Sequence, residues 1–311
     1  TANAADEIRL YARPTRAGAI AIDGDRFAAT YYRVALGFAA STGAIAWAHL
    51  HDAVFLGGDA YAGGVALCDA HGKVTFLDAD TGAVSGSGSF GRPIEACVVQ
   101  ADGVKKAAAP AEKPLAAQIA ACVESPEQEL ATIQRFLLRE LIAQKDAWVT
   151  KALVDLVTNA RTSPALAKEA RGALAGRTNG QAYMLAALER HVGAKIVAPL
   201  ADALAAMNER SAAPLLAKHL IDPTSAPDDV AHAAAALATL ATKDEAPILK
   251  TFFATHRVSR GLEREDRVDA AVVSVAQALV RLGEGSVVAA AAADPSTSPA
   301  VKEKITPLVK R

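Results

Sequence analysis

The sequence predicts a multidomain β + α fold, in which an all-β module is followed by an α-solenoid of helical hairpins. Residues 1–104 hold ten of the fifteen aromatic residues. There, short apolar runs alternate with Gly, Asp and Ser, as in short strands joined by tight turns. From residue 127 onward, apolar residues recur at three- and four-residue spacing, which is typical of helices. The predicted domains are a β module at 1–104, a linker at 105–126 and the solenoid at 127–311.

The β module is predicted to contain two copies of one structural unit. Thr42-Gly43-Ala44 recurs as Thr81-Gly82-Ala83. Asp23-Gly24 and His71-Gly72 lie between strand-like runs, as hairpin turns do. The spacing of the two copies, about 40 residues, fits one four-stranded unit.

The solenoid is predicted to contain about ten short helices, and a further short helix at "LAAQIAAC" in the linker stays open. Ser163-Pro164 and Ser298-Pro299 mark helix starts, because serine caps the first turn and proline is tolerated at the first helical position. The predicted helices lie near 127–144, 146–158, 164–174, 180–191, 195–207, 211–221, 227–241, 244–256, 263–282 and 299–309.

The helices also repeat. Ala213-Pro214-Leu215-Leu216 is echoed by Ala246-Pro247-Ile248-Leu249, and Asp228 and Asp266 open two matching alanine-rich helices. Stacked hairpins of this kind bury a shared core that one hairpin cannot form alone. Over 127–311 the pattern resembles the HEAT-repeat family, in particular its bacterial form related to phycobilisome lyase repeats. The resemblance implies a protein-binding scaffold, and no lyase activity is carried over.

The corner of each β unit resembles the blade signature of quinoprotein-like (PQQ-like) β-propellers. That signature has Asp-Ala, any residue, Thr-Gly and then a tryptophan a few residues on. The first copy has Ala39 at the aspartate position and Trp47 at the tryptophan position, whereas the second has Asp78 and Gly86 there. The resemblance implies that these residues form a blade corner and that the tryptophan docks between blades.

Two blades are too few for a closed propeller, which takes about four to eight. An open pair would expose sheet edges and invite aggregation. We expect the remaining blades on sequence upstream of Thr1, since the chain has no initiator methionine. The alternative is a compact β module of two units that packs against the first helices.

Composition argues against several classes of protein. The formal net charge is −1, whereas a nucleic-acid-binding face is strongly basic. No run approaches the roughly 20 apolar residues of a membrane span. Cys68, Cys97 and Cys122 include no CxxC pair, so a structural zinc site is not expected. Buried thiols are favoured, and one bridge between Cys68 and Cys97 stays open.

Three stretches resemble ligand sites superficially. Asp78, Asp80 and Thr81 are acid-rich, but no glutamate ends the calcium-loop pattern, so side-chain to backbone turn bonds are predicted. His49 and His51 would share a strand face without an obvious third ligand, which favours structural histidines. "GGDAYAGG", 57–64, lacks the lysine of a phosphate-binding loop and is predicted to be a loop or hairpin connection.

We therefore expect no catalytic, cofactor-binding or metal-ligating residues. The stretch "RVSRGLERED", 257–266, mixes both charges, which is typical of a solvated connection between hairpins. The alternative is a partner-binding edge, and the candidate binding residues are Arg257, Arg260, Arg264 and Arg267. The expected function is a non-catalytic protein–protein interaction scaffold, a bacterial envelope assembly or structural component in the periplasm or cell envelope, with the cytoplasm left open. The alternative is a quinoprotein-like enzyme or ligand-binding propeller whose remaining blades lie outside this chain.

Overall fold

A computed structural model describes residues 17–22, 24–94, 114–190, 196–258 and 266–309 of the 311-residue chain. These residues form eight strands followed by twelve α-helices, so the predicted order of β before α is confirmed. The strands are β1 (Ala17–Ile22), β2 (Arg26–Tyr31), β3 (Val34–Ala39), β4 (Ile45–Leu50), β5 (Phe55–Tyr61), β6 (Gly64–Asp69), β7 (Lys73–Asp78) and β8 (Val84–Ser89). The helices are α1 (Leu115–Val123), α2 (Ala131–Ala143), α3 (Ala147–Thr158), α4 (Pro164–Ala175), α5 (Gln181–Arg190), α6 (Val197–Ala206), α7 (Ala213–Ile221), α8 (Pro227–Leu240), α9 (Ala246–His256), α10 (Asp266–Arg281), α11 (Gly285–Ala293) and α12 (Pro299–Ile305).

The chain divides into two compact units, Thr1–Gln144 and Lys145–Arg311. The first unit holds all eight strands together with α1 and α2, and the second holds α3 to α12. The domain limits at 104 and 127 stay a prediction, since residues 95–113 lie outside the described part of the chain.

The first unit contains two four-stranded antiparallel sheets. Strand order is β1-β2-β3-β4 in one and β5-β6-β7-β8 in the other, so each strand pairs with the next one along the chain. Such neighbours need only short turns. The described residues contain these two sheets, and closure into a ring of blades is not shown.

The two sheets share their turn geometry as well as their strand order. Gly24 and Gly43 have φ values of 74° and 70°, and Gly63 and Gly82, at the equivalent positions of the second sheet, have φ values of 88° and 67°. Positive φ favours glycine because other residues clash there. The period seen in the sequence is therefore a repeat of backbone conformation.

The core of the first unit lies between the two sheets. Its fully or almost fully buried residues come from both of them: Ile22, Ala28, Ala35, Trp47, Phe55, Val65, Leu67, Leu77 and Ala79. A smaller cluster lies on the other face of the second sheet and includes Tyr61, Cys68 and Ile94. Every residue of β6 is consequently buried.

Trp47 connects the two sheets. Its fully buried indole lies over Gly37 of the neighbouring strand, where a Cβ atom would come within 2.0 Å of the ring. The indole Nε1–H donates to the carbonyl of Ala79 at 2.8 Å. The same ring lies against Gly82, the corner glycine of the second sheet. Trp47 of the first sheet therefore contacts the corner of the second sheet.

Helix α1 packs along the outer strand β4 of the first sheet. Gln118 accepts the backbone N–H of Ala48 at 2.8 Å and donates to the carbonyl of Thr81 at 3.2 Å, so it contacts both sheets. From α2, the buried side chain of Gln134 donates to the carbonyl of Ser125, beyond the end of α1, at 2.6 Å. Part of an open sheet edge is thus covered by a helix, which protects against edge-to-edge association.

The helices of the second unit form two layers of neighbours. Helices α3, α5, α7 and α9 contact one another in sequence, as do α4, α6, α8 and α10. The pairs α3–α4, α5–α6, α6–α7, α7–α8 and α9–α10 link the two layers. The two Ala-Pro copies lie at the starts of α7 and α9, and Asp228 and Asp266 lie in the first turns of α8 and α10. Each pair of repeated motifs therefore marks two equivalent, neighbouring helices of one layer.

The ten predicted helices of 127–311 are present with ends shifted by a few residues, and the open helix in the linker is α1. The prediction misses α11, "GSVVAAAAA". Because most of its residues are alanine, the helix has almost no contrast between an apolar and a polar face, and periodicity cannot reveal it. The high helix propensity of alanine is the signal that indicates a helix here. Among the described residues, none of the helices is both long and apolar enough to cross a bilayer.

Candidate functional site

A groove of about 590 Å³ crosses helices α4, α6, α8 and α10 of the second unit. Below it is named the charged groove. Five of its lining residues carry ionisable side chains that reach the surface: Arg171, Asp202, Asp228, His232 and Arg267. The others are the buried Asp229 and six small or ring-closed residues, namely Gly172, Ala175, Ala198, Pro199, Ala226 and Pro227. A groove with small side chains and charges of both signs suits an extended, polar ligand.

The centre of the charged groove is a histidine between two carboxylates. His232 Nδ1 lies 2.7 Å from Asp202 Oδ1, and His232 Nε2 lies 3.8 Å from Asp228 Oδ1. Arg267 forms an ion pair with the same Asp228. Helix geometry explains the arrangement, because Asp228 and His232 are one turn apart on α8 and point to the same side.

Asp229 has a structural role at the rim. It lies in the first turn of α8, is only 3% exposed, and accepts the backbone N–H of Ala198 at 3.0 Å. Ala198 belongs to the first turn of α6, whose N–H groups have no partner inside their own helix. Asp229, in the first turn of α8, thus provides an acceptor for a backbone N–H in the first turn of α6. This bond fixes the register of the two helices.

Arg171 differs from the other charged residues of the groove. It is half-buried on α4, and its side chain makes no ion pair or hydrogen bond within the described residues. An arginine keeps its charge at all physiological pH values. Among the described residues, the groove therefore contains one positive charge without a partner.

The charged groove presents polar groups of both signs. Its described lining includes no Ser, Thr, Cys, Lys or Tyr that could act as a nucleophile. The geometry thus supplies charged and hydrogen-bonding anchors for a ligand.

The structure separates the predicted binding arginines. Arg267 lies in the charged groove, whereas Arg257 is turned towards the chain itself. Arg257 pairs with Asp294 at 2.8 Å and donates to Thr297 Oγ1 at 2.7 Å. The backbone N–H and hydroxyl of Ser296, and then Arg257, lower the pKa of Asp294 to about 2. Arg257 therefore ties the end of α9 to the turn before α12.

Arg260 and Arg264 lie outside the described residues. The partner-binding edge at 257–266 stays a prediction. Sequence reasoning missed Arg171, Asp202 and His232, which follow one another at nearly equal spacings along the chain. Those spacings are close to the helical repeat, so charged residues compared repeat by repeat would have revealed them.

In the first unit, the acid-rich turn is structural, as predicted. Asp78 Oδ1 accepts the backbone N–H of Asp80 at 3.1 Å and both the N–H and the hydroxyl of Thr81, at 3.2 and 3.1 Å. These are the bonds of an Asx turn. Within the described residues, no group of three His, Cys, Asp or Glu side chains is placed to hold a metal ion.

His49 and His51 do share one face of β4, with ring centroids 5.8 Å apart. His51 Nε2 lies 2.8 Å from Asp69 Oδ2, and both side chains are at most 4% exposed. His49 Nε2 is buried without a hydrogen-bond partner among the described residues. Burial, and then the neighbouring His51, lower the pKa of His49 to about 4. A neutral histidine packed into the β module is the result.

The prediction of a loop or hairpin connection over the glycine-rich stretch 57–64 is only partly correct. Ala62 and Gly63 form the predicted hairpin turn, but Gly57 and Gly58 belong to strand β5. A Cβ atom at Gly58 would lie 2.9 Å from Ile20 of the first sheet and 2.6 Å from Leu67. Glycine is needed there for close packing of the sheets rather than for a loop.

The cysteines of the described chain are buried. Cys68 and Cys122 are both 0% exposed, and burial raises the pKa of the Cys122 thiol to about 12. Such a thiol stays protonated and unreactive. The bridge between Cys68 and Cys97 involves a residue outside the described part.

No family model and no curated protein matches the sequence. Among solved structures, one of lipovitellin, titled for its lipid–protein interactions, matches with a TM-score of 0.38 at 10% identity. The match covers 92% of this chain and 36% of the lipovitellin chain, so this chain spans about a third of its length. A similarity at this level carries no argument about fold or function.

Proposed function

We propose that the protein is a non-catalytic interaction scaffold that holds a partner protein in the charged groove. The second unit is interpreted as an α-solenoid of HEAT-like hairpins, and the two sheets of the first unit as propeller-like blades. The observation that carries the proposal is the groove itself, because it crosses four stacked helices of one layer. Proteins built from stacked hairpins commonly offer such extended surfaces to partners.

The composition of the groove favours binding over catalysis. Its acidic side chains all have partners, its small residues leave room for a polypeptide backbone, and its described lining includes no Ser, Thr, Cys, Lys or Tyr. His232 bonds Asp202 through Nδ1, and its Nε2 lies 3.8 Å from Asp228. We place the protein in a bacterial envelope, in keeping with the resemblance of its β units to propeller blades.

The test compares capture of partners by three forms of the full chain. Gly172 lies on α4 in the groove, and nothing lies within 4 Å of a Cβ atom added there, so Gly172→Tyr fills the groove without internal strain. Gly285→Tyr on α11 is the matched control, since its Cβ position is equally open. Each form is used to capture partners by crosslinking from periplasmic and membrane fractions of the native organism.

We expect the wild type and Gly285→Tyr to capture the same partner in stoichiometric amount and Gly172→Tyr to lose it. Equal capture by all three forms contradicts the proposal. Native mass spectrometry of the purified chain tests the alternative, a quinoprotein-like enzyme. A stoichiometric quinone or calcium ion bound to the chain would overturn the scaffold interpretation.

A further inference from the structure

We infer that the charged groove binds an acidic segment of a partner protein, through a carboxylate placed on Arg171. This inference rests on the proposed function and names the chemistry of the partner. The charge of the partner depends on which charged side chains of the groove are available to a ligand.

The carboxylates of the groove are already engaged. Asp202 is bonded to His232, Asp228 is paired with Arg267, and Asp229 accepts a backbone N–H. A basic segment would have to displace one of these internal partners before it could bind. Displacement removes as many interactions as it creates, so it adds little affinity.

Arg171 presents the opposite case. The residue is half-buried, and its side chain is unpaired within the described residues. The loss of hydration that comes with burial is therefore not offset by an ionic contact. An incoming carboxylate can accept two parallel N–H bonds from a guanidinium and breaks no existing pair. The unpaired charge therefore selects an acidic ligand.

The neighbouring carboxylates narrow the choice further. Asp202 and Asp228 line the same groove as Arg171 and would repel a phosphate dianion more than a single carboxylate. The acids in the first turn of α8 also complement the positive end of that helix, so the helix end is not a second anion anchor. A glutamate or aspartate flanked by small, uncharged residues fits the one positive site and the small lining residues.

The test selects peptides from a random displayed library on the immobilised full chain. Selections are run in parallel on the wild type, Arg171→Glu, Lys168→Glu and Gly172→Tyr. Lys168 is the matched control for charge reversal, because it is exposed on the same helix and does not line the groove. Inorganic phosphate is added as a competitor in a separate arm.

We expect peptides selected on the wild type and on Lys168→Glu to be enriched in Asp and Glu. Arg171→Glu should lose this enrichment and bind the wild-type peptides at least about tenfold more weakly, the loss expected for one charge-assisted hydrogen-bonded pair. Millimolar phosphate should leave the selected peptides bound.

Failure of the inference differs from failure of the proposed function. Peptides that need an open groove, and are lost with Gly172→Tyr, but show no acidic enrichment would overturn the inference alone. Acidic peptides that bind Arg171→Glu unchanged, or that phosphate displaces, would also overturn it. If no peptide distinguishes the wild type from Gly172→Tyr, the groove is not a docking site and the proposed function fails with it.

Discussion

The two corner glycines of the β units provide a direct test of how the sheets are joined. Gly43 and Gly82 occupy equivalent positions with nearly equal φ values of 70° and 67°. Alanine in this region is strained by about 1 kcal/mol at either site. The surroundings differ, because a Cβ atom at Gly43 would meet nothing within 4 Å, whereas one at Gly82 would lie 2.6 Å from Cδ2 of Trp47.

The indole of Trp47 cannot retreat easily. It lies over Gly37 on one side and is bonded to the carbonyl of Ala79. Overpacking of a well-packed site costs about 1–3 kcal/mol beyond the backbone strain. We therefore expect Gly43→Ala to lower the free energy of unfolding by about 1 kcal/mol and Gly82→Ala by about 2–4 kcal/mol.

Urea unfolding followed by Trp47 fluorescence measures the difference. The chain has two tryptophans, and the other, Trp148, lies in the second unit. All variants are therefore made in a Trp148→Phe background, so that emission reports on the β module. Losses that agree within about 0.5 kcal/mol for Gly43→Ala and Gly82→Ala would refute the docking argument, because mutations free of special contacts differ by no more than that.

Three further predictions concern stability. Because the pKa of His49 falls from 6.5 to about 4 on folding, the unfolded chain binds its proton first, and the β module should lose about 3 kcal/mol as pH drops from 6.5 to 4. Urea titrations should show that His49→Gln flattens this slope, and an unchanged slope contradicts the assignment. Gln118→Leu leaves the N–H of Ala48 without its acceptor, so hydrogen exchange of that amide should accelerate, and unaltered protection argues against edge capping by α1. The buried Arg177 and the exposed Arg281 both donate to backbone carbonyls. Thermal melts should show that replacement by Met lowers the free energy of unfolding by about 2 kcal/mol at Arg177 and by under about 1 kcal/mol at Arg281. Equal losses of stability at the two sites would contradict the role of burial.

The comparison of the two β units shows how far sequence reasoning reaches. Gly82 and Gly43 could be aligned because left-handed turns require glycine, which leaves a mark in the sequence. The sequence showed that the second unit has Gly86 in place of a tryptophan. It did not show which residue fills the space of the missing tryptophan. In the structure Phe76 pairs with Gly86, as Gly37 pairs with Trp47, so the bulky residue has moved to the other strand of the pair.

The candidate site was largely hidden from the sequence. Arg267 lies next to a charge-rich stretch of the sequence, whereas nothing local connects Arg171, Asp202 and His232, which lie on three different helices. Their meeting depends on the register with which the helices stack, and that register is set by contacts such as the bond from Asp229 to the start of α6. No local pattern encodes it.

The sequence by itself determined the order of β before α, the two repeat periods, and the start of most helices. Each of these follows from short-range effects, namely turn conformation, helix capping and the spacing of apolar residues. Only the tertiary structure decided that Trp47 packs on Gly82, that α1 covers β4, and that Arg171 of the charged groove has no partner among the residues described. Such outcomes depend on which distant surfaces come together and how tightly they pack, because pairing and burial are properties of the assembled chain.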